Sequence, residues 1–150
     1  MSGENDLIKL YSSQILALAA DIPLTDRLDN PHASVKRRAP LCGSTVTVDI
    51  MLNQGRITAF GQDVKACALG QAAASILASN VIGRTVGEIC TARDQLIAML
   101  RDNGPAPTAP FELLKILEPA REFKNRHASI MLAFEATVEA IGIARKSACA

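Results

Sequence analysis

Residues 44–64 read STVTVDIMLNQGRITAFGQDV, and this stretch decides the fold. Val46, Val48, Ile50 and Leu52 alternate with Thr45, Thr47, Asp49 and Met51, the period of a strand with one buried face. Asn53–Gly55 follow as a three-residue connection, with Gly55 placed for the left-handed position of a hairpin. Residues 56–64 read as the return strand, with Ile57 and Ala59 on its inner face. SVKRRAP at 34–40 predicts a short edge strand ended by Pro40, which cannot donate to a ladder.

Outside the hairpin the pattern is helical. Residues 5–21 place Leu7, Leu10, Tyr11, Ile15, Leu18 and Ala19 at helical spacing behind a cap at Asn5 or Asp6. Residues 22–34, with Pro23 and Pro31, predict an irregular surface connection. CALGQAAASILAS (67–79) is small and helix-forming, and Gly70 with its alanines lets another backbone approach closely. A second helix starts at a capping box of Thr85 and Glu88 and stops at Gly104. GPAPTAP (104–110) is a rigid loop, and FELLKILEPA (111–120) predicts a short helix closed by Pro119. A long helix from about Asn125 to Lys146 carries Ile130, Met131, Phe134, Val138 and Ile141 on one stripe. Strands early and helices late predict one α+β domain spanning residues 1–150: a small antiparallel three-stranded sheet with helices packed on one face.

Composition narrows the function. The 150 residues are 49% apolar and 21% charged, as in a soluble globular domain with a core of its own. Four Phe, one Tyr and no Trp leave no stacking platform for single-stranded nucleic acid. A net charge of +1, with VKRR at 35–38 as the one basic cluster, argues against nucleic acid altogether. No unbroken apolar run nears the roughly 18 residues of a membrane span. The N-terminus lacks the basic and apolar regions of a secretory signal, so a cytoplasmic protein is expected. In that reducing compartment its four cysteines predict free thiols, metal ligands or reactive groups rather than disulfides.

Cys42 lies in APLCGS, where Pro40 and Gly43 shape and expose the backbone. Cys67 lies where strand gives way to helix, at the positive end of a helix dipole that favours thiolate. The two bracket the hairpin, whose open ends meet, so their thiols fall within reach of one another. Two thiolates at one sheet edge suit zinc or iron. His127, in REFKNRHASIML (121–132), opens the last helix and approaches the same edge if that helix packs on the sheet. Cys90 shares an apolar face with Val86, Ile89 and Ile97 and reads as core. Cys149 reads as frayed and His32 as solvated.

These residues carry a resemblance to the IscU/SufU/NifU family of iron–sulfur cluster scaffold proteins. LIKLYSSQIL is similar to the family's first helix. APLCGSTVTVDIMLNQGRITAFGQDVKACALGQAAASILASNVIGRTVGEI resembles the segment holding its first two ligand cysteines, and RHASIMLAFEATVEAI its final helix. The match spans roughly residues 7–145, and the stretch around 100–120 resembles the SufU branch. By that resemblance Cys42 and Cys67 are the first two ligands and His127 is the histidine preceding the third. The third ligand cysteine is replaced by Ala128, and the aspartate of the family's Cys-Gly-Asp motif by Ser44.

The resemblance implies a scaffold or carrier rather than an enzyme. It would take sulfur from a cysteine desulfurase, hold a labile iron–sulfur cluster on Cys42, Cys67 and His127, and deliver it to apo iron–sulfur proteins as a monomer or homodimer. Asp63 is a further donor to consider. Two other readings stand beside it: a zinc-bound sulfur acceptor of the desulfurase, and a metal-free interaction module of the assembly machinery.

Overall fold

The computed structural model describes residues 11–40 and 42–149, with side chains as far as Arg145. In chain order the elements are α1 (Ser13–Ala20), β1 (Ala33–Arg38), β2 (Thr45–Asn53), β3 (Arg56–Lys65), α2 (Ala68–Asn80) and α3 (Val86–Arg101). Two runs of 3-10 helix (Glu112–Glu122 and Lys124–Arg126) and α4 (His127–Cys149) complete it. The strands form one antiparallel sheet in the order β1-β2-β3, the α+β arrangement that the sequence predicts.

The hairpin differs from expectation in two details. Asn53 pairs with Arg56, so two residues close it, not three. Gln54 and Gly55 hold positive φ angles of 53° and 75°, the type I′ pattern whose twist matches the strands. Leu52 pairs with Ile57 while Met51 pairs with Ala59, which leaves Thr58 as an extra residue. This β-bulge shifts the alternation, so that Phe60 and Gln62 follow Ile57 onto the buried side and Ala59 turns to the other face. The assignment of Ala59 to the inner face is corrected by that one inserted residue.

α4 packs across β1 and β2 and against α2 and α3, and α1 packs on α2. Ile130, Met131, Phe134 and Ile141 are buried as its stripe predicts. Phe134 meets Phe111 edge to face, with ring centroids 5.9 Å apart. The segment Lys124–Arg145 has the length and hydropathy of a membrane span, yet 67% of its most apolar window is buried inside the protein. That apolarity belongs to a core helix.

Local chemistry sets the remaining elements. The capping box is present: Glu88 N–H donates to Thr85 Oγ1 at 3.1 Å, and Thr85 N–H donates to Glu88 Oε1 at 3.0 Å. The predicted opening helix is corrected at its start. Ser12 is extended, with φ −60° and ψ 161°, and caps α1 through the Ile15 amide. The caps expected at Asn5 or Asp6 lie outside the described residues. The predicted helix over 111–120 is 3-10 rather than α. Buried Phe111, Leu114, Leu117 and Ala120 recur every third position, which is the 3-10 period. Pro119 inside the run would clash with an α-helical carbonyl four residues back.

The chain also covers the sheet's other face and its outer edge. A Cβ on Gly61 would collide with the Asp26 carbonyl oxygen, so the segment around Asp26 crosses directly over it. Beneath that segment Asp49 is fully buried and accepts from Arg27, Ser34 Oγ and the Leu28 N–H. Burial alone would raise the Asp49 pKa. The hydrogen bonds from Arg27, Ser34 and Leu28, with the Arg27 charge, outweigh it and hold the carboxyl below its usual range. Along the edge of β3 away from β2, Gln62 N–H donates to the Leu24 carbonyl at 2.9 Å and Ile57 N–H to the Arg84 carbonyl at 3.0 Å. Gly83 N–H donates to the Ile57 carbonyl at 2.7 Å and Val86 N–H to that of Gly55 at 3.2 Å.

Candidate functional site

The connection from β1 to β2 is closed at its neck. Ala39 N–H donates to the Ser44 carbonyl at 2.8 Å, and Gly43 N–H donates to that of Ala39 at 3.0 Å. Gly43 holds φ +72°, which only glycine adopts without strain, and the loop then carries Cys42 into solvent. The Cys42 sulfur lies 3.1 Å from the hydroxyl of buried Ser44. Across the hairpin opening, Cys67 caps α2 with extended backbone at φ −67° and ψ 169°. Its half-buried sulfur lies 3.4 Å from the Ser129 hydroxyl, itself 3.1 Å from that of Ser44.

Cys42, Ser44, Ser129 and Cys67 therefore form one continuous cluster. A glycine makes it possible. A Cβ on Gly70 would lie 2.7 Å from Ser129 Oγ and 2.9 Å from the Ser129 carbonyl oxygen. Only glycine lets α4 come close enough to the first turn of α2 to seat Ser129 beside Cys67. The sequence signal was the small residue at 70, but the partner it admits was not identified from sequence.

The cluster can carry one continuous run of hydrogen bonds. Its three contacts hold two hydroxyl protons, so all three carry a proton when one sulfur donates and the other accepts as thiolate. The shift toward thiolate falls at Cys42. The hydrogen bond from Ser44 lowers its thiol pKa below the ordinary cysteine value, against a smaller opposing effect of burial. An exposed thiolate-prone sulfur thus stands beside a second, more protected one.

His127 and Asp63 do not join them. His127 is 3% exposed and its Nε2–H donates to the Ala120 carbonyl at 2.9 Å. Successive helical residues turn by about 100°, so His127 and Ser129 leave α4 in different directions, Ser129 toward Cys67 and His127 toward the Ala120 carbonyl. Asp63 stands opposite Thr47, with its carboxylate 49% exposed and 4.0 Å from Lys65 Nζ. Among the described residues no group of three or more His, Cys, Asp and Glu side chains could hold a metal ion. His127, expected near the thiols, has its Nε2 engaged by the Ala120 carbonyl and belongs to no such group among the described residues. His32 is exposed as expected, yet its Nδ1 accepts the Leu52 N–H at 2.9 Å, which leaves the ring proton on Nε2. Cys90 is half-buried on α3, and the side chain of Cys149 lies outside the described residues.

Two sulfurs and two hydroxyl oxygens at one edge can ligate a soft metal through sulfur and hydrogen-bond to whatever else it carries. Structural zinc asks for four protein ligands and catalytic zinc for three, so the zinc reading gains nothing here.

No protein-family model matches the chain, and no curated protein does. Solved structures do. The crystal structure of the N-terminal part of a nitrogen-fixing NifU-like protein from Brucella abortus is 42% identical, with a TM-score of 0.92, over 94% of this chain and 98% of that one. A protein from the thermophile Fervidobacterium islandicum, described as a candidate iron–sulfur cluster assembly scaffold for the SUF system, has a TM-score of 0.80 at 16% identity, over 89% of this chain and 98% of that one. A protein described as hypothetical has a TM-score of 0.77 at 23% identity, over 90% and 98% of the two chains. The last two share the fold. At 42% identity over nearly the whole of both chains, the Brucella likeness shows more: this chain belongs to the IscU/SufU/NifU family.

Proposed function

We propose that the protein is an iron–sulfur cluster scaffold or carrier of the cytoplasm, with Cys42 and Cys67 as the sulfur ligands of its cargo. One observation carries the reading. The two thiols at the open end of the hairpin are joined through the hydroxyls of Ser44 and Ser129, on a chain closely similar to a NifU-like N-terminal domain.

The chemistry follows from what each residue can do. The Cys42 thiolate attacks the outer sulfur of a persulfide on a cysteine desulfurase. A new S–S bond forms at Cys42, the partner's S–S bond breaks, and the partner's cysteine leaves as a thiolate, with no net oxidation. Reduction of that sulfur to sulfide takes two electrons from an external thiol or other reductant. Clusters commonly take four cysteine ligands. This chain brings two to the site, so the cargo is held loosely and is ready for transfer to an apo-protein that supplies the others. Ser44 and Ser129 donate hydrogen bonds to the cluster's sulfurs and steady it while it waits.

Anaerobic reconstitution with ferrous iron, sulfide and reductant tests the proposal. The native protein is expected to develop a visible charge-transfer band and bind iron, and the Cys42→Ser, Cys67→Ser double variant to do neither. Equal spectra for the two would refute it. That no three-ligand group occurs among the described residues favours the metal-free interaction module as the second reading. That reading predicts no iron on the native chain and undiminished desulfurase binding by the double variant.

A further inference from the structure

We propose that the cavity between the C-terminal end of α3 and the start of α4 binds a small oxyanion, a phosphate or carboxylate group, through Arg101, Arg121 and Lys124. The cavity measures about 530 Å³, and its walls include Arg101, Asn103, Arg121, Glu122, Lys124 and His127. That volume falls within the range of roughly 300–1,000 Å³ typical of small-molecule sites. Three permanent cations face one carboxylate, so the wall carries a net positive charge.

A solvated basic face would be mobile, and this one is built. Arg121 is anchored by two backbone carbonyls: its Nε donates to Met99 at 2.7 Å and its Nη2 to Gly104 at 2.9 Å. Its remaining nitrogen, Nη1, has Glu118 at a loose 3.7 Å. The same two bonds pin the loop after α3, where Asn103 sits in the left-handed region at φ 52°. Gly104 locks that loop further, since a Cβ there would meet the Ala98 carbonyl carbon at 3.1 Å. On the far wall the His127 ring is 3% exposed and fixed by the Ala120 carbonyl. A guanidinium and an imidazole held this way need little ordering when a ligand arrives.

Arg101 and Lys124 differ from Arg121. Both are exposed, and neither forms an ion pair or side-chain hydrogen bond among the described residues. They are the cations free to fold over a bound anion, one from each rim. Planar guanidinium groups pair with carboxylate and phosphate oxygens in bidentate fashion, and the ammonium adds a point charge. None of Cys42, Ser44, Cys67 and Ser129 lines the cavity. It is independent of the metal chemistry proposed above.

The test is a titration of the whole metal-free protein with inorganic phosphate and, separately, with citrate, each against sodium chloride at matched ionic strength. Amide NMR shifts report the site. Saturable shifts confined to residues 100–104 and 121–127 are expected with one or both probes and not with chloride. Saturation by phosphate alone assigns a phosphate ligand, and by citrate alone a carboxylate ligand. Lys124→Glu and Arg101→Glu should each weaken binding by about tenfold or more, the value of one charge-assisted contact. Both residues are exposed, so folding survives, and an unchanged spectrum elsewhere verifies it. No saturable shift with either probe, or affinities unmoved by both variants, would overturn the proposal. Neither outcome bears on cluster reconstitution, which reads Cys42 and Cys67.

Discussion

Replacing Gly70 with alanine isolates the contact that seats Ser129 at the thiols. Two effects oppose each other. Alanine in a helix interior is favoured over glycine by about 1 kcal/mol. Against that, the new methyl would lie 2.7 Å from Ser129 Oγ, 2.9 Å from the Ser129 carbonyl oxygen and 3.0 Å from the Ala66 Cβ. The hydroxyl can rotate away, but the carbonyl belongs to α4 and cannot. Restoring ordinary contact means parting the two helices by about 0.5 Å in a close-packed interior, and overpacking of this kind costs about 1–3 kcal/mol. The net expectation is a loss of about 1 kcal/mol. Gly142, exposed on α4, is the internal control. A Cβ there meets nothing within 4 Å, so Gly142→Ala should stabilise by about 0.5–1 kcal/mol. Urea denaturation with unchanged slopes reads both, and the midpoints should move in opposite directions. Adding Ser129→Ala to Gly70→Ala should rescue only part of the loss, because the carbonyl clash remains. A midpoint for Gly70→Ala that rises like that of Gly142→Ala would show that the close approach is not there, and the placement of Ser129 would fall with it.

Three further outcomes are expected. Iodoacetamide should modify exposed Cys42 before half-buried Cys67 and Cys90, with a pH profile shifted below that of an ordinary cysteine. Ser44→Ala should move the profile up, and an unmoved profile by peptide mass spectrometry would remove Ser44 as the cause. Asp49 is depressed in the fold, so its stabilisation is complete above its ordinary value of 3.8 and is lost as pH falls through the lower folded value. Asp49→Asn should cost about 2 kcal/mol at neutral pH and flatten the acid limb of stability, and a parallel limb would count against that assignment. His127→Gln keeps a donor for the Ala120 carbonyl and should bind as much iron as the native protein, whereas a marked fall in bound iron would return His127 to the ligand set.

The hairpin was legible because a period of two admits one interpretation over nine residues of β2. Its bulge was not. Thr58 differs from its neighbours in pairing rather than in polarity, and a slipped register leaves no mark in composition. The 3-10 segment shows a related ambiguity, since apolar positions spaced by three serve either helix until Pro119 is weighed. Cys42 and Cys67 could be brought together from topology alone, as the two ends of one hairpin. Ser129 could not, because its place depends on which face of α4 meets the sheet and on the gap left at Gly70. His127 drew the eye as a rare residue type in a familiar position. Its Nε2 is engaged by the Ala120 carbonyl, a contact that no sequence pattern announces.

The edge of β3 narrows how another protein can reach the sulfur cluster. Gly55, Ile57 and Gln62 spend outward-facing backbone groups on Leu24, Gly83, Arg84 and Val86 of the same chain. An extended peptide arriving at the hairpin-turn end of that edge finds those groups taken. The segment over Gly61 closes the face behind it. On the proposed function, a partner that exchanges cargo with Cys42 and Cys67 meets the open end of the hairpin, at the Cys42 loop and the first turns of α2 and α4. On that reading a partner arriving there leaves the pairing of β2 and β3 untouched, so loading and unloading would share one rigid frame.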